Sequence, residues 1–238
     1  MRVFYWSKKQ IAKMLLVMTA ILVMVVVGFN ILEDDIAVTT LASQPIYQGD
    51  TSLKSIGLTI NVDWGEDFIP GMLETLKENK AKATFFMTGR FADKFPELVK
   101  TIASDGHEIG NHGYSHPHPD RISKKENQEE ITKTAKAIHK ACGIETTLFA
   151  PPYGEHKPHV VEAAGEIGYK TILWTIDTVD WEKSRGSEDI YLKVTKNAQN
   201  GAIVLMHPTD RTLKAFDRII KKLQLEGFKI AILSQILP

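Results

Sequence analysis

Cysteine is almost absent from this chain of 238 residues, because Cys142 is the only one. A single cysteine can form neither a disulfide within the chain nor a thiolate metal cluster. Net charge is absent as well, since 29 basic residues balance 29 acidic residues. Without a clustered basic surface the sequence shows no electrostatic signature of a nucleic-acid partner, and we exclude that class.

One long hydrophobic run lies near the N-terminus. Residues 14–32 contain no charged side chain and are close to the length that a helix needs to cross a bilayer. Basic residues precede the run and acidic residues follow it: Lys8, Lys9 and Lys13, then Glu33, Asp34 and Asp35. The positive-inside tendency predicts a cytoplasmic N-terminus at 1–13, a single-pass transmembrane signal anchor at 14–32 and an extracytoplasmic remainder in the cell membrane. The alternative is a signal peptide cleaved near Ala42, which would make the protein secreted.

The remainder of the chain divides into a short polar segment and one folded region. Residues 33–54 are rich in Thr, Ser, Gln and Asp without a sustained period, which predicts a linker. Residues 55–238 alternate short apolar runs with helical patterns. The strand candidates begin at Ile56, Ala83, His107, Thr147, Lys170, Ala202 and Phe228. Seven candidate strands alternating with helices predict an α/β fold with a parallel sheet or barrel.

The helical patterns have an apolar face or a cap. Apolar residues recur at helical spacing in 69–76, 98–103 and 213–223. Ser123 followed by Glu126 predicts a capping box that opens a charged helix from Lys124 to Ala141.

Unusual polar residues follow most of the candidate strands. They are Asn61 and Asp63, then His112 and His116, then Pro152 and Tyr153, then Asp177 and Asp180, and finally His207. The carboxyl ends of the strands of a (β/α) barrel share one rim, where its loops build active sites. We therefore expect one pocket that contains all of these groups.

His112 and His116 lie four residues apart in a turn-rich stretch, so that both imidazoles can face one point. Two histidines and a carboxylate from a neighbouring strand end make a three-ligand metal site that leaves positions for water and substrate. Surface polarity is the alternative interpretation of such a pair. His107 and His118 lie nearby and need not bind anything.

From Ile56 to Leu237 the chain resembles the polysaccharide deacetylase family, the NodB-homology domain of carbohydrate esterases. Five motifs match in order: Thr59 to Gly65, His112 to His116, Ala150 to Gly154, Asp177 to Trp181, and Leu205 to His207. The resemblance implies a distorted (β/α) barrel of about seven parallel strands. It also implies a divalent metal, with zinc preferred and cobalt, manganese or nickel as alternatives, and an amino-sugar polysaccharide as substrate.

The same resemblance implies roles for individual residues. His207 would be the general acid, with Asp177 orienting its imidazole, and the backbone amide of Tyr153 would hold the oxyanion. Asp63, His112 and His116 would bind the metal. The remaining substrate contacts would come from Trp181 and Leu205, which line a slot for the acetyl methyl group, and from Asp180, Trp64 and Pro152.

Two positions depart from the family pattern. Asn61 stands where the family has its catalytic base, and an amide cannot accept the proton of a water molecule. Ala150 stands where the family has the arginine that braces that base. Asp63 is then either a metal ligand, which we favour, or the base. The opening INVDWG is similar to the sporulation-associated branch of the family.

These departures leave three functions open. The leading prediction is an exported, metal-dependent hydrolase that removes N-acetyl groups from peptidoglycan or a chitin-type glycan. The alternative is a catalytically impaired glycan-binding or wall-assembly protein on the same fold. A glycosidase that uses Asp63 with Asp177 or Asp180 ranks last, because it leaves the two histidines without a role.

Overall fold

A computed structural model describes residues 8–9, 12–24 and 44–237. The chain divides into two units, residues 1–42 and residues 43–238. In the first unit, residues 12–24 are helical and their side chains are exposed. No helix within the described ranges is both long enough and apolar enough to cross a membrane. Of the predicted transmembrane segment 14–32, residues 25–32 lie outside the described residues, as do residues 33–43 of the predicted linker.

The second unit is built on one parallel sheet. In the described part of the chain its strands are β1 (Ser55–Val62), β2 (Thr84–Met87), β3 (Glu108–Asn111), β4 (Leu148–Phe149), β5 (Lys170–Thr171), β6 (Ile176–Asp177), β7 (Ile203–Met206) and β8 (Lys229–Ala231). The strand order is β5-β4-β3-β2-β1-β7-β6, with β8 beside β1. Because all pairs are parallel, every strand points its carboxyl end towards the same side of the sheet.

β1 is the central strand. All eight of its residues are buried, as expected for the near-continuous apolar run SIGLTINV in a sheet covered on both faces. Thr59–Val62 pair with β2 and Gly57–Ile60 pair with β7, while Ser55–Gly57 pair with β8. One strand therefore sets the register of three neighbours.

The sheet curls because one stretch of the chain pairs with strands at opposite ends of the strand order. The predicted strand from Lys170 to Asp177 is two short strands in the structure. β5 pairs with β4, and β6 pairs with β7 at the other end of the strand order. The prediction of an α/β fold with a distorted (β/α) barrel is confirmed. Residues 170–177 connect the two ends of the strand order, and β8 is an additional strand beside β1.

Seven helices pack around the sheet in the described part of this unit. They are α1 (Ile69–Glu78), α2 (Gly89–Lys94), α3 (Pro96–Ser104), α4 (Lys124–Cys142), α5 (Pro158–Glu166), α6 (Ser187–Lys196) and α7 (Asp210–Leu225). The predicted capping box is present, since Ser123 Oγ accepts from the Glu126 N–H and the Glu126 carboxylate accepts from the Ser123 N–H. α4 ends at Gly143, which adopts the left-handed conformation common at such ends.

Residues 44–54 belong to the barrel, which corrects the linker prediction for this part. The Ile46 N–H donates to the Thr171 carbonyl at 2.8 Å and the Asp50 N–H donates to the Ile236 carbonyl at 2.7 Å. The Gly49 N–H donates to the Gly201 carbonyl at 2.8 Å. The sequence shows no hydrophobic periodicity here, because these residues form isolated backbone hydrogen bonds instead of a continuous strand.

Gly201→Ala should destabilise the protein more than Gly143→Ala. Both glycines have positive φ, at +71° and +74°, so both substitutions carry the left-handed strain of roughly 1–2 kcal/mol. A Cβ on Gly201 would lie 2.5 Å from the Gly49 carbonyl oxygen, whereas a Cβ on Gly143 meets nothing within 4 Å. Urea unfolding should give a loss about 1–3 kcal/mol larger for Gly201→Ala. Equal losses would show that residues 44–54 do not pack here as described.

Candidate active site

The carboxyl ends of the strands surround one cavity of about 700 Å³. Its lining includes ten of the predicted site residues: Asn61, Asp63, Trp64, His112, His116, Tyr153, Asp177, Trp181, Leu205 and His207. The lining also includes Arg90, Ser115, Gly154 and Trp174. The expected convergence on one rim is therefore found.

The loop that carries the two histidines is held by β3 and α4. The Asn111 side chain donates to the Ile131 carbonyl at 2.8 Å and accepts from the Gly113 N–H at 3.0 Å. One carboxylate oxygen of Glu130 accepts from the N–H groups of Tyr114 and Ser115, at 2.8 and 2.7 Å. These bonds fix the path of the chain between His112 and His116.

His112 and His116 face each other, with ring centroids 5.0 Å apart. His112 Nδ1 donates to the Ala150 carbonyl at 2.6 Å, which leaves Nε2 with a free lone pair. Burial lowers the pKa of His112 to about 3 and also lowers the pKa of His116. Both imidazoles are therefore neutral near pH 7, in the form that binds metals.

Asp63 is held by Arg90, a side chain that was not among the predicted site residues. Its Oδ1 accepts from Arg90 Nε at 2.6 Å and from Thr88 Oγ1 at 2.9 Å, while its Oδ2 forms an ion pair with Arg90 Nη2. Burial alone would raise the pKa of Asp63. The hydrogen bonds from Arg90 and Thr88 and the charge of the Arg90 guanidinium outweigh burial, and the pKa of Asp63 is lowered.

The side chains expected to bind a metal are only partly assembled. Within the described ranges, no three His, Cys, Asp or Glu side chains meet closely enough to hold a metal ion. Two neutral imidazoles and one carboxylate have the donor chemistry of a zinc-class site. The pair of histidines fits such an ion, whereas the carboxylate is shared with the Arg90 guanidinium. The metal roles of Asp63, His112 and His116 stay predictions.

Asp180, and not Asp177, orients His207. His207 Nδ1 donates to Asp180 Oδ1 at 2.8 Å, and Asp180 Oδ2 accepts from the His207 N–H at 2.7 Å and from Thr212 Oγ1 at 2.5 Å. Asp177 instead accepts from the Val179 N–H at 2.8 Å and lines the cavity. The predicted pairing of Asp177 with His207 was wrong. Val179 has φ of 55° and turns the chain, which carries Asp180 beneath His207.

Asn61 points into the cavity from the end of β1. It is 5% exposed, and its Oδ1 has no hydrogen-bond partner. A buried acceptor without a partner is costly, so a donor from water or a ligand is expected there. Ala150, at the position of the family's arginine, is also buried.

Exposed aromatic side chains form the rim of the cavity. Trp64, Tyr153 and Trp181 are all about half exposed. Trp64 stacks on His207 with ring centroids 6.2 Å apart, and Tyr153 stacks on His118 at 4.0 Å. His118 thus supports the rim. Such flat faces suit the apolar face of a sugar ring.

Two predicted substrate contacts lie outside the cavity lining. Asp180 is fully buried behind His207, where its carboxylate is occupied by three hydrogen bonds. Pro152 is buried in a short turn next to Gly113. Both residues shape the loops that carry the site, and the prediction that they touch substrate is corrected.

Arg90 is the functional candidate that sequence reasoning missed. It lies three residues after β2, and so it follows the same rule of strand ends that selected the other residues. The sequence ATFFMTGR therefore contained the signal. The sequence did not reveal that Asp63 is the partner of Arg90, because the two residues lie 27 positions apart.

Comparison with known proteins identifies relatives of this chain. Residues 48–172 match the family model described as polysaccharide deacetylase. The Bacillus subtilis protein YlxY is 33% identical over 209 residues, covering 88% of this chain and 65% of YlxY. A peptidoglycan-N-acetylglucosamine deacetylase of Bacillus cereus is 34% identical over 192 residues, covering 79% of this chain and 70% of that protein. The chain therefore spans about two thirds of the length of these relatives.

A solved structure shares the fold. BA3943 of Bacillus anthracis, a CE4 family pseudoenzyme, superposes with a TM-score of 0.79 at 39% sequence identity, covering 82% of this chain and 69% of BA3943. A mutant of BA3943 with restored enzymatic activity has also been solved. The chain is thus similar both to a named deacetylase and to a pseudoenzyme.

Asp180→Asn should disturb the protein more than Asp177→Asn. The first substitution places an amide among three donors in a buried position, and we expect a loss of about 2–4 kcal/mol in the free energy of unfolding. Asp177→Asn keeps the oxygen that accepts from Val179 and should cost less than about 0.5 kcal/mol. Urea unfolding measures both losses.

Long-range ¹H–¹⁵N spectra of His207 provide a second readout. The proton on Nδ1 should be lost or shared with Nε2 in Asp180→Asn and kept in Asp177→Asn, because Asp180 is the acceptor of that proton. A change in the position of the His207 ring proton in Asp177→Asn, without a change in Asp180→Asn, would contradict the observed pairing of Asp180 with His207.

Proposed function

This chain belongs to the polysaccharide deacetylase family, and we propose that it hydrolyses N-acetyl groups of peptidoglycan glycan. The observation that carries the proposal is the joint exposure of His207, the two histidines and Asp63 to one cavity. An amide hydrolase needs a proton donor for the leaving amine and a polar group at the acetyl carbonyl. The cavity contains candidates for both.

His207 supplies the proton in this proposal. Its Nδ1 is held by Asp180, so that Nε2 is the ring nitrogen that is free to face the substrate. The buried carboxylate of Asp180 holds the ring in the orientation in which Nε2 can pass a proton to the substrate. Water adds its oxygen to the acetyl carbon, and the amine of the sugar receives the His207 proton as the C–N bond breaks. The acetyl group leaves as acetate, and the remaining proton of the water goes to solvent.

The other cavity residues orient the sugar. Trp181 and Leu205 line the same cavity as His207 and would accommodate the acetyl methyl group, while Trp64 and Tyr153 offer flat faces to the ring. His112, His116 and Asp63 would hold a divalent ion, with zinc preferred. Such an ion supplies Lewis acidity that polarises the acetyl carbonyl.

A second function is favoured by Asn61. An amide at the position of the family's base binds a ligand without accepting its proton. Glycan binding without turnover, in wall assembly or sporulation, is therefore the alternative. The likeness to the pseudoenzyme BA3943 supports this alternative as much as the likeness to the Bacillus cereus deacetylase supports catalysis.

Asn61→Asp should raise turnover. A positioned general base contributes about 10²–10⁴-fold in rate, so acetate release from N-acetylglucosamine oligomers and peptidoglycan fragments should increase by that order. The assay uses metal-loaded protein and measures acetate over time. His207→Ala in the Asn61→Asp background should remove the gain, because the leaving amine then lacks its proton donor.

The rate of acetate release by the unsubstituted protein distinguishes the two functions. Slow, metal-dependent acetate release that disappears in His112→Ala supports a deacetylase. Glycan binding without any release, combined with a gain in Asn61→Asp, supports the binding function. No gain in Asn61→Asp would contradict the assignment of residue 61 to the position of the base.

We further propose that the catalytic domain works on the outer side of the cell membrane. The support is the sequence of residues 14–32, which has basic residues before it and acidic residues after it. An N-terminal tail inside and residues 55–238 outside would place the cavity next to wall glycan.

Val23→Arg should reduce membrane association. An arginine near the middle of an inserted helix costs about 2.5–3.5 kcal/mol, so the variant should shift from the membrane pellet to the soluble fraction. Lys9→Gln, outside the apolar run, is the matched control and should stay in the pellet. Protease added to intact protoplasts should degrade the domain of the unsubstituted protein. Full protection of the domain in intact protoplasts would place it inside the cell and contradict the proposal.

A further inference from the structure

We infer that Arg90 competes with a divalent cation for the carboxylate of Asp63 and thereby weakens metal binding at this site. The inference rests on the proposed function, because it concerns the ion expected at the same residues. Arg90 would then tune the metal affinity of the site, although it is not among the residues that the resemblance to the family assigns to the metal.

The guanidinium occupies both oxygens of the carboxylate. Arg90 Nε donates to Oδ1 at 2.6 Å and Nη2 is paired with Oδ2, so the two groups meet as a fork. Thr88 Oγ1 is a third donor to the carboxylate and bonds Oδ1 at 2.9 Å. A divalent ion would have to take an oxygen from this charge-assisted pair before Asp63 completed a site with the two histidines.

The backbone around Arg90 is bonded to the loop that carries the two histidines. The N–H groups of Gly89 and Arg90 donate to the carbonyls of Gly113 and Tyr114, at 3.0 and 3.1 Å, and these carbonyls belong to the loop that joins His112 to His116. Arg90 is therefore bonded through its backbone to the histidine loop and through its side chain to Asp63. It links the two parts of the expected metal site.

The guanidinium and a divalent ion compete because both are positively charged. A divalent ion and the guanidinium are both cations, and each is attracted to the carboxylate of Asp63. Arg90 has a side chain that is 51% exposed, whereas Asp63 is 12% exposed. The arginine can therefore turn into solvent while Asp63 stays in the cavity, so its position decides whether the carboxylate is available.

Arg90→Gln should tighten metal binding. We expect the Kd for Co²⁺ and Zn²⁺ to fall at least about tenfold in calorimetric titrations of the full chain after removal of metal with a chelator. Cobalt absorption spectra should show an added oxygen ligand in the variant. Lys94→Gln is the matched control, because it removes a cation from the same helix α2, one whose ammonium pairs with Glu66 at 3.8 Å and lies over the Phe95 ring. Its Kd should equal that of the unsubstituted protein.

A double substitution identifies the carboxylate. Asp63→Asn combined with Arg90→Gln should cancel the tightening, since the gain comes from the released carboxylate. Unchanged or weaker metal binding in Arg90→Gln would overturn the inference and would indicate that Arg90 supports Asp63 in another role. A gain that persists with Asn at position 63 would overturn it as well. Neither readout uses acetate release, so the inference and the deacetylase proposal can fail separately.

Discussion

Hydrogen bonding on both edges of β1 is the constraint on which the rest of the fold depends. A buried strand must pair its N–H and C=O groups, and β1 does so with β2 and β8 on one side and β7 on the other. The register then places Asn61 beside Phe86 in β2 and Leu205 beside Thr59. Since all neighbours are parallel, the chain leaves every strand at the same rim, and the cavity forms where these exits converge.

The charges at this rim are arranged differently from the family pattern. Ala150, which the resemblance assigns to the family's arginine, is buried, and Asn61, which it assigns to the base, is neutral and has an unpaired oxygen. A cation and an anion are nevertheless present, as Arg90 after β2 and Asp63 after β1. The cavity therefore contains an ion pair between Arg90 and Asp63. A single charge left alone there would carry the desolvation cost of an unpaired ion.

Backbone strain is concentrated in the loops of the site. In the described part of the chain the non-glycine residues with positive φ are Lys80, His116, Tyr153 and Val179. Three of these four lie in loops that bring side chains to the cavity or beneath it. Each such conformation costs of order 1–3 kcal/mol and persists only where neighbouring bonds hold it. The contacts of Glu130 with the histidine loop and of Asp180 with His207 and Thr212 are bonds of this kind.

The sequence by itself determined the features that depend on near neighbours along the chain. The apolar runs, the capping box of Ser123 and Glu126, and the placement of polar residues after strands follow from period and spacing, and they predicted the barrel and its one-sided cavity. Only the tertiary structure decided which charged groups meet. Arg90 reaches Asp63 from another strand, and Asp180 replaces Asp177 beneath His207 because Val179 turns the chain. Residues 46–50 join the barrel through single bonds to distant carbonyls, which leave no period to detect. In each case the deciding contact lies between residues far apart in sequence or depends on one backbone angle, and neither is encoded in a local pattern.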